Sequence, residues 1–250
     1  MMLSITLPDG SKQDLPKGST GLDLAKTIGP GLAKSAVAIS IDGVQKDLED
    51  KIEQDSSVSI ITIDSGEGLE IMRHTIAAQV LAASIKTLYP DSKLAIGPTI
   101  DNGFYYDILS AKAISSDDLV TIEKEMQRVI ENKSVINKTL HSKKEVIKFF
   151  KDKKEDYKLK IINEAEQDNN FQIFTNKDTK FIDLCIGPHL PNLSFIGPFK
   201  LTKVSGAYWK GDSSNEMLTR IYGTAWRTQK DLDTYLSQIE EAEKRDHRKI

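Results

Sequence analysis

The sequence predicts an α+β protein built from two units, and three observations carry that reading. The first stretch of about sixty residues orders as strand, strand, helix, strand, strand. A polar, glycine-rich segment, Asp64-Ser65-Gly66-Glu67-Gly68, follows as a natural linker. Beyond it, long helical-period stretches are mixed with short strands and turns. With 250 residues, 39% of them apolar and 28% charged, the chain can bury a real core as one domain or two.

Residues 3 to 15 read as a hairpin: Leu3, Ile5 and Leu7 alternate with polar residues, and Pro8-Asp9-Gly10 supplies the turn. Ser19 or Thr20 caps a helix carrying Leu22, Leu24, Ala25 and Ile28, which Gly29-Pro30 ends. Ala36 to Ile41 and Val58 to Ile63 read as strands, with a tight turn at Asp42-Gly43. A small half-open sheet crossed by one helix results. This unit holds six basic and ten acidic residues over positions 1–64, so it is a poor general phosphate binder.

In the second unit a helix is expected from Leu69 through Leu88. Leu94 to Ile100 and Phe104 to Leu109 flank the hairpin signal Asp101-Asn102-Gly103, and a helix follows over about Asp117 to Asn132. Residues 143 to 160 hold eight lysines against four acids, either a solvated helix face or a patch facing a nucleic acid. Short strands follow Phe171 as far as Trp226. Leu232, Leu236, Ile239 and Ala242 then recur at helical spacing.

Composition narrows the function classes. A single cysteine excludes an internal disulfide framework and favours a reducing, cytoplasmic setting. No apolar run approaches the ~18–20 residues of a membrane span, and the N-terminus lacks the charged and apolar regions of a signal peptide. A net charge of −3 argues against a uniformly basic nucleic-acid module but allows a local basic face. The charged, helix-prone ending Glu-Lys-Arg-Asp-His-Arg-Lys-Ile reads as a chain that continues.

Four histidines exist: His74, His141, His189 and His247. Cys185 lies four residues before His189, in a loop that Gly187-Pro188 turns. Such a pair can serve a metal, a nucleophile and its base, or hydrogen bonding to a polar substrate. A histidine four residues after His74 would share its helix face, but Ala78 stands there and Gln79 one further on. A single-residue π-bulge could bring His74 and Gln79 together, though glutamine is a poor zinc ligand, so no metal site is assigned. Lys158, Asp183 and Tyr106 read as a solvent lysine, a loop aspartate and a half-buried strand tyrosine when taken alone. Ala207-Tyr208-Trp209-Lys210-Gly211-Asp212 suits either stacking on a nucleotide base or a β-core.

Taken together, these strings carry a family likeness. The chain resembles the N-terminal half of bacterial threonyl-tRNA synthetases. Ile-Thr-Leu-Pro-Asp-Gly and Ile28-Gly29-Pro30-Gly31-Leu32-Ala33 are similar to the TGS domain, a β-grasp (ubiquitin-like) module. From Glu67 onward the likeness is to the editing domain, also found in alanyl-tRNA synthetases. It is carried by Ala95-Ile96-Gly97-Pro98, Asp101-Asn102-Gly103-Phe104-Tyr105-Tyr106-Asp107, Asp183-Leu184-Cys185-Ile186-Gly187-Pro188-His189, Gly206-Ala207-Tyr208-Trp209-Lys210-Gly211-Asp212 and Arg220-Ile221-Tyr222-Gly223-Thr224-Ala225-Trp226. Lys244-Arg245-Asp246-His247-Arg248-Lys249 extends it to the end.

The resemblance implies a TGS domain over 1–64, a two-part α+β editing domain over 65–226, and a linker helix over 227–250 toward an absent catalytic domain. It implies His74, Lys158, Asp183, Cys185 and His189 as the catalytic set, with Tyr106, Gln79 and Tyr208 binding substrate. Gln79 falls where the family has a second motif histidine. The implied activity is hydrolysis of seryl-tRNA(Thr). A missing methyl discriminates by only ~1–3 kcal/mol, so a synthetic site for threonine cannot exclude serine by size. Asp183 would take the aminoacyl ammonium and Lys158 the attacking water and oxyanion, while Cys185, His189 and His74 surround the serine and the terminal ribose. ATP and zinc would belong to the absent catalytic domain, and the fragment needs no cofactor of its own. tRNA(Thr) is the implied partner, with a monomeric fragment of a homodimeric parent and no membrane. The alternative is a tRNA-binding module without catalysis, its editing impaired by Gln79.

Overall fold

The computed structural model describes residues 1–247. Met2–Thr6 and Lys12–Pro16 pair antiparallel around a turn at Gly10, whose φ of 82° suits glycine. Their alternation buries Leu3, Ile5 and Leu15 on one side. Helix Gly21–Ile28 starts at Thr20, whose hydroxyl accepts from the Asp23 N–H while the Asp23 carboxylate accepts from the Thr20 N–H. A Cβ on Gly21 would stand 2.1 Å from Ile39 Cγ2, so glycine lets this helix lie close on the sheet.

Gly29-Pro30 interrupts the helix, as expected, but Pro30 also opens a second one, Pro30–Ser35. Proline's missing N–H is no loss in a first helical turn. The strands Ala36–Ile41, Val44–Asp47 and Ser56–Thr62 complete a sheet of five. Its order is Lys12–Pro16, Met2–Thr6, Ser56–Thr62, Ala36–Ile41, Val44–Asp47, with Met2–Thr6 and Ser56–Thr62 parallel. This is a β-grasp arrangement. Val44–Asp47 is mostly exposed and carries no apolar alternation, which is why periodicity does not reveal it.

The linker is short, because Ser65 already caps helix Gly66–Thr75 by accepting from the Gly68 N–H. A Cβ on Gly68 would stand 2.0 Å from the Thr62 carbonyl oxygen, so this helix lies directly against the first unit. The two units share one apolar cluster, in which Val37, Ala38, Ile61 and Ile63 pack with Ile71, Met72 and Ile76. The helix expected through Leu88 forms, but Ile76–Leu81 winds as a π-helix before Ala82–Leu88 resumes the α form.

Leu94 to Ile100 does not form one strand. Only Lys93–Leu94 and Thr99–Ile100 pair with Gly103–Leu109, and Ala95 to Pro98 between them is irregular. Phe199–Tyr208 and Met217–Ala225 extend that sheet, and helix Leu119–Glu131 buries Leu119, Ile122, Met126 and Val129. A separate three-stranded sheet, Ile182–Leu184, Phe171–Asn176 and Ile136–His141, carries helices Lys143–Asp152 and Asp156–Glu164. Helix Gln229–His247 closes the described chain, with Leu232 buried, and residues 248–250 of the expected linker helix lie outside the described residues. No helix among the described residues is long and apolar enough to cross a membrane.

Candidate active site

The irregular Ala95 to Pro98 segment, helix Asp156–Glu164 and the loop after Ile182–Leu184 enclose a cavity of about 570 Å³. His74, Tyr106, Lys158, Asp183 and Cys185 line it, with Ile96, Pro98 and Ile161 among the apolar walls. These five polar residues come from four pieces of chain. His74 ends helix Gly66–Thr75, Tyr106 belongs to strand Gly103–Leu109, and Lys158 sits in the first turns of its helix. Asp183 and Cys185 leave the edge strand of the three-stranded sheet.

Lys158 is not a solvent lysine. Its helix buries Tyr157, Lys158 and Ile162, which puts the ammonium inside. Lys158 Nζ stands 2.7 Å from Asp183 Oδ1, with side-chain exposures of 4% and 3%. The Leu184 N–H donates to Asp183 Oδ1 at 2.8 Å and the Tyr106 hydroxyl to Oδ2 at 3.2 Å. Lys158 Nζ also donates to the Tyr106 hydroxyl oxygen at 3.3 Å. Burial pushes the Asp183 carboxyl upward in pKa, with Lys158 opposing it, and raises the fully buried Tyr106 hydroxyl well above its usual value. The pair also lines a second, smaller cavity of about 240 Å³.

The other half of the site is a stack of two imidazoles beside a thiol. His74 and His189 lie with ring centroids 4.7 Å apart at 18°, and Phe174 meets the His189 ring edge-on at 4.3 Å. The Thr75 hydroxyl donates to the Ile71 carbonyl at 2.8 Å and so has no second proton to give. His189 Nδ1 and the Leu190 N–H therefore both donate to Thr75 Oγ1, at 3.3 and 3.0 Å. That assignment leaves His189 Nε2 as a bare, buried lone pair, and it has no protein partner.

His74 Nε2 and Cys185 Sγ stand 2.8 Å apart. Burial holds the Cys185 thiol up at about 12 and the His74 imidazole down at about 4. Near neutrality the thiol keeps its proton and donates it to His74 Nε2, while the Gly97 carbonyl also bonds the ring. His189 is pushed well below its usual value, first by burial and then by His74. Both rings are neutral.

Gln79 is fully buried in the π-helix, yet neither atom of its amide has a hydrogen-bond partner. Ala78, not Gln79, reaches the cavity wall. Tyr208 is 39% exposed at the end of its strand and is not part of the lining. Its neighbour Trp209 is buried against Tyr157 at 4.9 Å, so in Ala207 to Asp212 it is Trp209 that takes the core position. Three residues not singled out from the sequence support the site: Thr75, Gly97 and Asp47. A Cβ on Gly97 would stand 2.2 Å from Tyr106 Cδ2, and the only sequence signal was its place in Ala95-Ile96-Gly97-Pro98.

His74, Cys185 and His189 could in principle ligate a metal, since their donor atoms lie within 4.8 Å of one another. A structural zinc takes four protein donors, whereas a catalytic zinc takes three and a water, and this set numbers three. The Gln79 amide does not line the cavity and adds no fourth donor.

Residues 3–62 match the TGS domain, and residues 173–222 match the threonyl and alanyl tRNA synthetase second additional domain. The chain carries both domains. Over its whole length it is homologous to the N-terminal region of threonine–tRNA ligases. It is 47% identical over 249 residues to that of Acidithiobacillus ferrooxidans, covering all of this chain and 38% of the relative. It is 49% identical over 251 residues to that of Paramagnetospirillum magneticum and 49% over 249 to that of Francisella philomiragia, covering 39% of each. The chain thus spans about two fifths of the length of these relatives. Of the polar residues that line the cavity, Asp183 and Cys185 lie inside the residues matched to the second additional domain, and His74, Tyr106 and Lys158 lie before them.

Proposed function

We propose that the cavity hydrolyses the ester of serine mischarged onto the threonine tRNA, with no metal or nucleotide of its own. The buried Lys158–Asp183 pair, held by Tyr106 at the wall of a cavity of about 570 Å³, is the observation that carries this reading. Withdrawing both charges from water is costly, and their mutual attraction and hydrogen bonds offset that cost without making the pair a strong source of stability.

In the proposed reaction Lys158 donates hydrogen bonds to the attacking water and to the carbonyl oxygen, where negative charge develops. Asp183 fixes the Lys158 ammonium and attracts the ammonium of the amino acid. His74 and Cys185 line the cavity beside the serine and the ribose, and the neutral His189 ring stacks behind His74. The water oxygen bonds to the ester carbon, the bond from that carbon to the ribose oxygen breaks, and the ribose oxygen takes up one proton of the water. Serine and uncharged tRNA leave. Gln79 and Tyr208 have no part in this scheme.

The deciding assay incubates the chain with seryl-tRNA(Thr) and threonyl-tRNA(Thr). Serine release well above background, little threonine release, and loss of serine release in Lys158→Met support the reading. Salt-sensitive tRNA binding with no release above background refutes it and leaves the non-catalytic module.

A further inference from the structure

The loop from Cys185 to Leu190 carries two of the site's three donors but has no regular structure to hold it. Its backbone N–H groups can be followed one by one. The Cys185 N–H donates to the Gln172 carbonyl at 3.3 Å and the Gly187 N–H to Cys185 Sγ at 3.4 Å. The Leu190 N–H reaches Thr75 Oγ1 at 3.0 Å. The His189 N–H leaves its own domain altogether and donates to Asp47 Oδ1 of the TGS unit, at 2.9 Å.

Asp47 is well placed for that task. It ends strand Val44–Asp47, paired with Ala38, and its own N–H donates to Asp50 Oδ2 at 3.2 Å. Its second oxygen accepts from Lys138 Nζ at 2.9 Å, and Lys138 also pairs with Asp50. A Cβ on Gly187 would stand 3.4 Å from Asp47 Oδ2, so the turn of the loop lies against this carboxylate. The side chain is only 15% exposed, which strengthens its bond to the His189 N–H.

We propose that Asp47 is a positioning residue for the hydrolytic site: the TGS unit reaches across with one carboxylate and holds the Cys185–His189 turn, so that the thiol and the His189 ring face His74. The inference rests on the proposed ester hydrolysis. It makes the TGS unit a working part of the cavity rather than an appended module.

The test uses the whole chain and seryl-tRNA(Thr). Asp47→Ala removes the acceptor and should lower kcat roughly ten- to a hundredfold with KM within about threefold, the fold-change expected from a lost hydrogen bond to a charged group. Asp47→Asn keeps an amide oxygen for the His189 N–H and should restore kcat to within about threefold of the parent. The His189 backbone amide proton, read by NMR, should move upfield in Asp47→Ala and stay in place in Asp47→Asn. A kcat for Asp47→Ala within twofold of the parent overturns the proposal, as does equal impairment of both variants. If the parent itself releases no serine, the hydrolytic reading falls, and an unmoved His189 amide in Asp47→Ala then overturns the positioning role as well.

Discussion

Replacing Lys158 with Met separates what the buried ion pair does for the fold from what it does for chemistry. Methionine keeps most of the volume but removes the ammonium. Asp183 then keeps only the Leu184 N–H at 2.8 Å and the Tyr106 hydroxyl at 3.2 Å, inside a site where its side chain is 3% exposed. Breaking a buried pair from one side costs about 3–5 kcal/mol, because the remaining charge has no counterion. At about 2–4 °C per kcal/mol for a chain of this size, the melting temperature should fall by roughly 6–20 °C. Asp183→Asn should do comparable harm by stranding Lys158. The double variant Lys158→Met, Asp183→Asn buries no charge, so it should be far less destabilised than the two single losses summed. Urea and thermal unfolding of the four proteins give the coupling energy, and seryl-tRNA hydrolysis is measured beside them. Stability should largely return in the double variant while hydrolysis stays absent. Single losses below about 1 kcal/mol that simply add would refute the buried pair itself.

Three further outcomes follow from the same geometry. The His74 imidazole is held at about 4 against 6.5 for an ordinary histidine, so between those values the unfolded chain binds a proton that the folded chain refuses, and stability falls as pH falls. Between pH 7 and 5 the parent should lose up to about 2 kcal/mol more than His74→Gln, and urea midpoints at the two pH values that move in parallel would sink this. Gln79→Leu removes a buried amide that has no partner and should raise stability by about 1 kcal/mol; a lower unfolding midpoint would show that the amide is satisfied after all. Thr75→Val strands the His189 Nδ1–H and the Leu190 N–H and should cost about 2 kcal/mol while slowing hydrolysis; unchanged activity would detach Thr75 from the site.

The parts of the fold legible in the sequence are those with a period or a punctuating residue. The Leu3 and Ile5 alternation, the Thr20 cap and the Asn102-Gly103 turn form as read, while the strand expected over Leu94 to Ile100 before that turn is broken between Leu94 and Thr99. Val44–Asp47 has no apolar alternation, so the strand that carries Asp47 was hidden, and with it the tie to His189. Lys158 was hidden for another reason. It sits among eight lysines in eighteen residues, and only the packing of Tyr157 and Ile162 beside it shows that this one turns inward. Gln79 was legible in part: the spacing from His74 asked for an extra residue in the helix, and Ile76–Leu81 winds as a π-helix. Which residue of that turn then meets the cavity depends on the winding, and Ala78 does.

The residues of the site are, on balance, poor choices for stability. A carboxylate and an ammonium are withdrawn from water, two imidazoles are kept from charging, and one of their lone pairs has no partner. Well-packed apolar side chains in the place of such a pair are often neutral or stabilising. The shell around the site is built to tolerate it: Phe174 covers His189, Thr75 takes two N–H groups at once, and Asp47 reaches in from the neighbouring unit. Costly polar arrangements of this kind persist where a reaction needs them, because a preorganised donor requires no rearrangement when charge develops on the substrate. Stability restored without activity, in the variant that neutralises Lys158 and Asp183 together, is the signature that separates such a site from an ordinary buried ion pair.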